Sequence, residues 1–427
     1  MLSRPLRLLV SLFAVAFLSA WSMGVAFAQP VQIEYWHINS ATFGGDAVKE
    51  AIAVFQQKHP DIKVTDRFQQ GDYGGLLNNL QAALAAGNPP AVAQIGYNYR
   101  LFAFDQIPHT PIASFESIDP EYNAYLDSFV EGILGLGQDE NGVQRAIPLA
   151  VSVPLLYYNA DLFRQAGLDP DNPPSTWQEV REAAKLIRER TGQYGIGIQI
   201  TSANNWIPQS MVESNGGWLI DPDGRVAIDS PEVIEVYQFW QDLAQKDRTL
   251  PVVTDAEQEQ AFVAGRLGMY IKTSAIMSTF AQQVSFDLRT APFPTWGDKP
   301  RRVAAGGNAL FIFAKDPAQQ RAAYEFIKFL TSKEGQTIWV EGTGYLPIVR
   351  GVEDDPRYLA DYMAANPLVR AALEQLPDAV PWAPFPGPRG FEAETTLAEA
   401  REAILNGADV KATLEETARV LRRLLNQ

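Results

Sequence analysis

Apolar residues recur along this chain with two different periods, and the alternation between the periods outlines the fold. Val31 to Ile38 (VQIEYWHI) has the two-residue rhythm and β-rich content of a first strand. Asp46 to Phe55 instead sets Val48, Ile52 and Phe55 on one helical face, and His59-Pro60 ends it. IKVTDRF reads as a second strand, and Tyr73 to Ala86 as a second helix carrying Leu76, Leu77, Leu80 and Leu84. Gly87-Asn-Pro-Pro90 stops that helix, and AVAQIGY supplies a third strand. Strand and helix in strict alternation predict a parallel sheet with right-handed crossovers.

Asn141-Gly142 marks a tight turn, and after it the pattern breaks. Ile147 to Asn159 (IPLAVSVPLLYYN) is apolar apart from Ser152, Asn159 and two tyrosine hydroxyls, with Pro148 and Pro154 six residues apart. Proline cannot donate to a ladder, so it is confined to strand starts, edges and bulges. The run therefore predicts a segment that finishes in one sheet, crosses open space and begins a second sheet. Beyond it the alternation resumes. Asp161 to Gly167 is a short helix, and Thr176 with Glu179 forms a capping box before Trp177, Val180, Ala184 and Ile187. YGIGIQI is a strand, Ser230-Pro231 opens a helix, Asp255 to Ala264 is another, and LGMYIKTS is a strand.

The proline-rich APFPTWGDKP then leads to VAAGGNALFIFA (Val303 to Ala314), a returning apolar strand led by a glycine pair. Helices follow over Ala318 to Leu330 and Ser332 to Gly342, with TGYLPIV (Thr343 to Val349) as a third crossing. The remainder is helical, except the proline-rich loop PWAPFPGPRGF. The fold class expected is α/β: two lobes, each a parallel-rich sheet flanked by helices, joined by three crossing segments. The division expected is residues 29–149 with 301–345 in lobe 1, and 150–300 with 346–427 in lobe 2.

Composition narrows the setting. Arg4 and Arg7 precede an apolar run from Leu8 to Leu18, and Ala26-Phe-Ala28 offers an A-x-A cleavage site, so residues 1–28 read as a secretory signal peptide. The 427-residue chain has no cysteine, so an exported form relies on its core alone and has no lipid-anchoring thiol. A periplasmic location is the simplest reading. The net charge is −15, and the leader's two arginines face no acid, so its removal makes the chain two units more negative. That balance argues against nucleic acid as a partner, though not against a small anion held by a local basic site.

Catalytic signatures are missing from the sequence. No phosphate-cradling glycine motif, nucleophile elbow or H-E-x-x-H is present, and His37, His59 and His109 are far apart. No metal, cofactor or catalytic residue is expected. Fifty carboxylates leave room for a glycosidase pair, but no spacing singles one out.

PLLYYNADLFRQAGLDPDNPPSTWQEV (Pro154 to Val180), AAGGNALFIF, TGYLPI and NGADVKATLEETA together resemble the periplasmic solute-binding proteins of ATP-driven (ABC) importers, in the branch for sugars and glycerol phosphates. The resemblance runs from the YWH motif to the last helix. It implies a monomer that closes on a small-molecule ligand between two lobes and docks to membrane permease subunits served by a cytoplasmic ATPase. For the glycerol phosphate members it implies site roles for Tyr73, Ser152, Ser274, Gly307, Tyr345 and Arg389, with Trp206 as an aromatic wall and Trp36 within the YWH motif. Tyr345 and Arg389 are the residues it assigns to phosphate, with Tyr73 reaching the same group. The hydroxyl-binding acid of that branch should fall near Tyr97, where this chain has no carboxylate.

The same residues have plainer readings. Tyr73 and Tyr345 are equally suited to packing, and the glycine pair to a bulge or close backbone approach. Ser152 could be a satisfied hinge hydroxyl, Ser274 could exchange register with Thr273, and Arg389 could be a surface arginine. Three functions stay open at this point: a binding protein for glycerol 3-phosphate or a glycerophosphodiester, the same architecture tuned to an oligosaccharide, and an extracytoplasmic hydrolase.

Overall fold

The computed structural model describes residues 29–41, 43–200, 204–387 and 389–427. The expected signal peptide lies outside these residues. The strands are β1 (Val31–His37), β2 (Ile62–Phe68), β3 (Val92–Gly96), β4 (Ile147–Ser152), β5 (Pro154–Asn159), β6 (Tyr194–Ile198), β7 (Leu267–Thr273), β8 (Leu288–Ala291), β9 (Val303–Ala304), β10 (Gly306–Ile312) and β11 (Ala379–Val380). They form a five-stranded sheet in the order β2-β1-β3-β10-β4, a four-stranded sheet in the order β6-β7-β5-β8, and the small pair β11-β9.

The architecture is two α/β bodies, as the pattern predicts, with more mixed strand directions than expected. Only β1–β2, β1–β3 and β6–β7 run parallel among the two large sheets. β10 enters the first sheet antiparallel to both neighbours, and β5 lies antiparallel to both of its own. The reason is connectivity: these strands arrive from the other body rather than through a crossover helix, so nothing imposes the parallel sense.

The crossing at 147–159 is shorter and drier than the sequence suggests. β4 ends at Ser152 and β5 begins at Pro154, so Val153 alone separates the two sheets, and the whole run is buried. Both prolines occupy permitted places. Pro154 is the first residue of β5, and Pro148 lies on the edge strand β4, where the register against β10 slips between Asn308 and Ala309. Ser274 pins the junction from the second body: its N–H donates to the Val153 carbonyl at 2.8 Å, and its Oγ accepts from the Val153 N–H at 3.2 Å.

The return crossing is equally tight, with Ala305 between β9 and β10. The segment expected as the third crossing, Thr343 to Val349, bridges Leu346 to Val151 of the first body and does not leave it. Past it the chain stays with the first body longer than expected. Val130 N–H donates to Ile348, Arg350 N–H to Ser128, and Val352 and Leu359 bury against Val340 of the helix Lys333–Thr343. Residues 346–359 thus sit beside the first sheet, not the second, because their apolar side chains cover a helix that packs on α1 (Gly45–Lys58).

The helices begin where local chemistry places them. Asp72 caps α2 (Tyr73–Ala85) by accepting from Gly74 and Gly75 N–H, and the Thr176/Glu179 capping box forms as read. No helix among the described residues is long and apolar enough to cross a membrane.

Gly307 is required by the backbone. Its φ is +119°, and a Cβ there would lie 2.0 Å from the Ala150 carbonyl oxygen. Gly307→Ala should therefore lower stability by about 2–4 kcal/mol, from strained φ and overpacking together. Urea unfolding of the variant against the parent measures it, and an unchanged midpoint would refute the close approach.

Candidate functional site

Four elements of the first body converge beside the crossings. α2 presents Tyr73 in its first turn, the 3₁₀ turn after β3 presents Tyr97, β10 presents Gly306, Gly307 and Asn308, and the segment after the helix Lys333–Thr343 presents Tyr345. Asn308 Nδ2 donates to the Tyr73 hydroxyl at 2.8 Å, and the Tyr345 phenol acts electrostatically on the same hydroxyl. The Tyr97 ring lies 3.4 Å from where a Gly307 side chain would begin. Tyr345 is fixed between Trp339, stacked at 5.9 Å, and Phe43, edge-on at 5.9 Å.

Electrostatics keep these phenols neutral. Burial raises the Tyr73 pKa, only partly offset by the bond to Asn308 and the influence of Tyr345. Burial, followed by the neighbouring phenols, pushes Tyr345 well above the ordinary tyrosine range, and burial does the same to Tyr97. Each ring therefore keeps its O–H proton. Tyr73 already accepts from Asn308, and its own proton remains to be donated. The Tyr97 hydroxyl and Asn308 Oδ1 are buried and have no partner among the described residues. An unsatisfied hydroxyl and an unsatisfied amide oxygen beside a crossing are expensive unless something else is to be bound there.

The floor of this group is backbone. A side chain on Gly306 would meet Ser152 Oγ at 2.8 Å and the Trp206 ring at 3.1 Å, so the paired glycine lets the serine and the indole approach each other. Trp206, at the start of the helix Trp206–Ser214, donates its indole N–H to Ala304 O at 2.6 Å and faces Trp382 at 6.4 Å between ring centres.

Of the nine residues singled out from the sequence, the structure gathers Tyr73, Tyr97, Gly307 and Tyr345, with Ser152 and Trp206 adjoining across Gly306. Ser274 lies one residue further, occupied with Val153. Two are elsewhere. Trp36 lies on the partly buried face of β1, its indole N–H on Glu34 at 3.2 Å, while Tyr35 and His37 point into the core. Arg389 is exposed and forks onto Glu392 at 2.6 and 2.8 Å, a pair one helical turn apart. Its phosphate role is not met in this arrangement, because a nearer carboxylate holds the guanidinium.

Sequence reading missed Asn308, Arg100, Trp382 and Glu394. Asn308 had a signal: it is the one amide inside the apolar run GGNALFIF. Glu394, on the helix Gly390–Leu405, accepts from Asn205 at 3.2 Å and acts electrostatically on Tyr99 of the first body. Near Tyr97, where an acid was sought, stand Asn98 and Arg100 instead. Among the described residues no group of three or more His, Cys, Asp or Glu could hold a metal.

Comparison with known proteins decides the family. Residues 50–368 match the family described as bacterial extracellular solute-binding protein. The chain belongs to this family. It is 28% identical over 431 residues to the sn-glycerol-3-phosphate-binding periplasmic protein of Agrobacterium fabrum, covering 96% of each chain, and 27% identical over 365 residues to that of Pectobacterium atrosepticum, covering 81% of this chain and 78% of the other. The crystal structure of UgpB from Mycobacterium tuberculosis in complex with glycerophosphocholine superposes with a TM-score of 0.82 at 26% identity, covering 93% of this chain and 99% of that one. A maltose-bound MalE3 of T. maritima shares the fold, with a TM-score of 0.77 at 24% identity over 92% of this chain and 100% of that one. These relatives are binding proteins, and their likeness supports a binding role rather than catalysis.

Burial raises Glu394 to a pKa of about 7, against the lowering influences of Arg401 and Asn205. A carboxyl raised in the native state holds its proton longer folded than unfolded, so its contribution to stability falls as pH rises from the ordinary glutamate range to about 7. Glu394→Gln, which keeps an acceptor for Asn205, should raise the melting temperature at pH 8 and leave it unchanged at pH 4. Equal shifts at both pH values would show that the carboxyl does not titrate there.

Proposed function

We propose that this protein is the solute-capturing subunit of an ABC importer, binding sn-glycerol 3-phosphate or a glycerophosphodiester between its two bodies and delivering it to membrane permease subunits. The observation that carries this reading is the set of neutral phenols Tyr73, Tyr97 and Tyr345 around Asn308, with no carboxylate among them and the Tyr97 hydroxyl without a partner among the described residues. A phosphate needs several hydroxyl and amide donors aimed at one place in a partly dry cleft, and a carboxylate there would repel it. Hydrogen bonds to a charged group contribute roughly 1.5–3 kcal/mol each, so three or four can supply the approximately 8 kcal/mol of micromolar binding before ordering is counted. The names of the relatives point the same way.

The lobes in this reading are the bodies built on the two large sheets, hinged at Val153, Ala305 and the segment after Leu359. Residues 1–28 direct export, and the mature protein works in the periplasm as a monomer. Ser152 and Ser274, flanking the first hinge, turn toward the solute, and Arg389 leaves Glu392 to reach the phosphate when the lobes close.

A second reading has its own observation. Trp206 and Trp382 lie 6.4 Å apart, and indole faces suit a sugar ring, so an oligosaccharide is the competing ligand. Thermal shift and calorimetry with glycerol 3-phosphate, glycerophosphocholine and maltose separate the two. Glycerol 3-phosphate should stabilise the protein, and Tyr345→Phe should weaken its binding by roughly 10- to 100-fold. Stabilisation by maltose alone, indifferent to Tyr345→Phe, would refute the phosphate reading.

A further inference from the structure

Arg100 stands out as a cation without an ion-pair partner among the described residues. Its Nε and Nη1 atoms are buried and have no hydrogen-bond partner among the described residues, and none of the ion pairs found there includes it. An arginine carries its charge in any protein environment, so such a guanidinium cannot relieve the strain by losing a proton. Three buried N–H bonds left without acceptors are costly, and the rest of the chain is strongly acidic, so counter-charges are not scarce. Elsewhere arginines of this protein find them: Arg181 with Asp242 and Asp247, Arg289 with Asp171 and Asp287, Arg422 with Asp229.

Local geometry turns this cation toward the site. Tyr97–Tyr99 is a single 3₁₀ turn closed by the Arg100 N–H on the Tyr97 carbonyl. Side chains three apart eclipse in such a turn, so Tyr97 and Arg100 lie on one edge of it. The influences on the two groups agree, since burial and then Tyr97 act on Arg100, while Arg100 is the charged neighbour acting on Tyr97. Tyr97 in turn lies against Gly307 and within reach of Tyr73 and Tyr345. Two orphaned amide oxygens, Asn98 Oδ1 and Asn308 Oδ1, belong to the same neighbourhood and could take hydroxyl protons.

We infer that Arg100 is the resident cation of the ligand site, supplying a fork of N–H donors to an anionic, phosphate-like group of the solute from the first body. This deepens the function proposed above and rests on an anionic ligand. It also gives the site its charge without Arg389, which stays on Glu392 until the bodies approach. Arg100 and the phenols together would form a complete anion cradle on one body, so that capture precedes closure.

The test uses the full mature protein, calorimetry with glycerol 3-phosphate and with inorganic phosphate, and melting temperatures with and without them. Arg100→Met should weaken glycerol 3-phosphate by roughly 10- to 100-fold, and Arg100→Lys, which keeps a point charge and loses the fork, by less. In the empty protein Arg100→Met should leave the melting temperature unchanged or raise it, because unsatisfied donors are removed. A lowered melting temperature with full retention of ligand affinity would make Arg100 a structural residue and overturn the inference, as would unaltered affinity at unaltered stability. If Arg100→Met fails to fold, the inference is likewise overturned unless Arg100→Lys folds and shows the selective loss. Wild-type protein that binds inorganic phosphate through Arg100 but ignores glycerol 3-phosphate would refute the proposed solute and keep the cradle. Binding of neither anion would refute both.

Discussion

The arrangement of this molecule depends on how little chain separates its two sheets. With Val153 the sole residue between β4 and β5, each sheet is built directly onto the end of the other. The reciprocal hydrogen bonds from Ser274 satisfy both backbone groups of that residue, so the junction carries no unpaired polar atom into the core. Any rotation of one body against the other must then be absorbed by the dihedrals next to Val153 and Ala305 and by the chain beyond Leu359. A hinge of this kind limits motion to a few soft angles rather than distributing it along a linker.

Site and hinge share residues for the same reason. Leu346 is bridged to Val151, and its neighbour Tyr345 belongs to the phenol group. Ser152 is the last residue of β4, and Gly306, opposite it, is the first of β10. A group that engages Ser152 therefore touches a crossing itself, and one that engages Tyr345 is a single bridge away from it. In a two-body protein this is the economical place for a ligand, because binding and the angle between the bodies become a single equilibrium.

Periodicity carried the architecture well, and site chemistry less well. The strands and helices of the first body, the capping box at Thr176 and the proline-bracketed crossing all leave local marks: period, caps and breakers act within a few residues. Strand direction in β5 and β10 leaves none, since it depends on which body the chain comes from. Tyr73, Tyr97, Gly307 and Tyr345 were legible because motif resemblance pointed at their segments. Arg100 was not, because its meaning lies in what it lacks, and the absence of an ion pair to it among the described residues is a property of three dimensions. Arg389 is the opposite case: its motif is clear, but Glu392 three residues on sits in the first helical turn, where a carboxylate is favoured, and holds the guanidinium in this arrangement.

The glycine pair has a further consequence for how such a protein changes over time. Gly307 has no room for a side chain, and one on Gly306 would collide with Ser152 and Trp206, so the floor of the site is written in backbone. Substitution cannot retune it without breaking the ladder between β10 and β4. Selectivity must then drift at the rim, at positions such as Asn98, Arg100, Trp382 and Glu394, where side chains come from loops and helix starts rather than from the sheet. A floor of backbone under a rim of side chains would let one scaffold change the solute it accepts without redesigning its hinge.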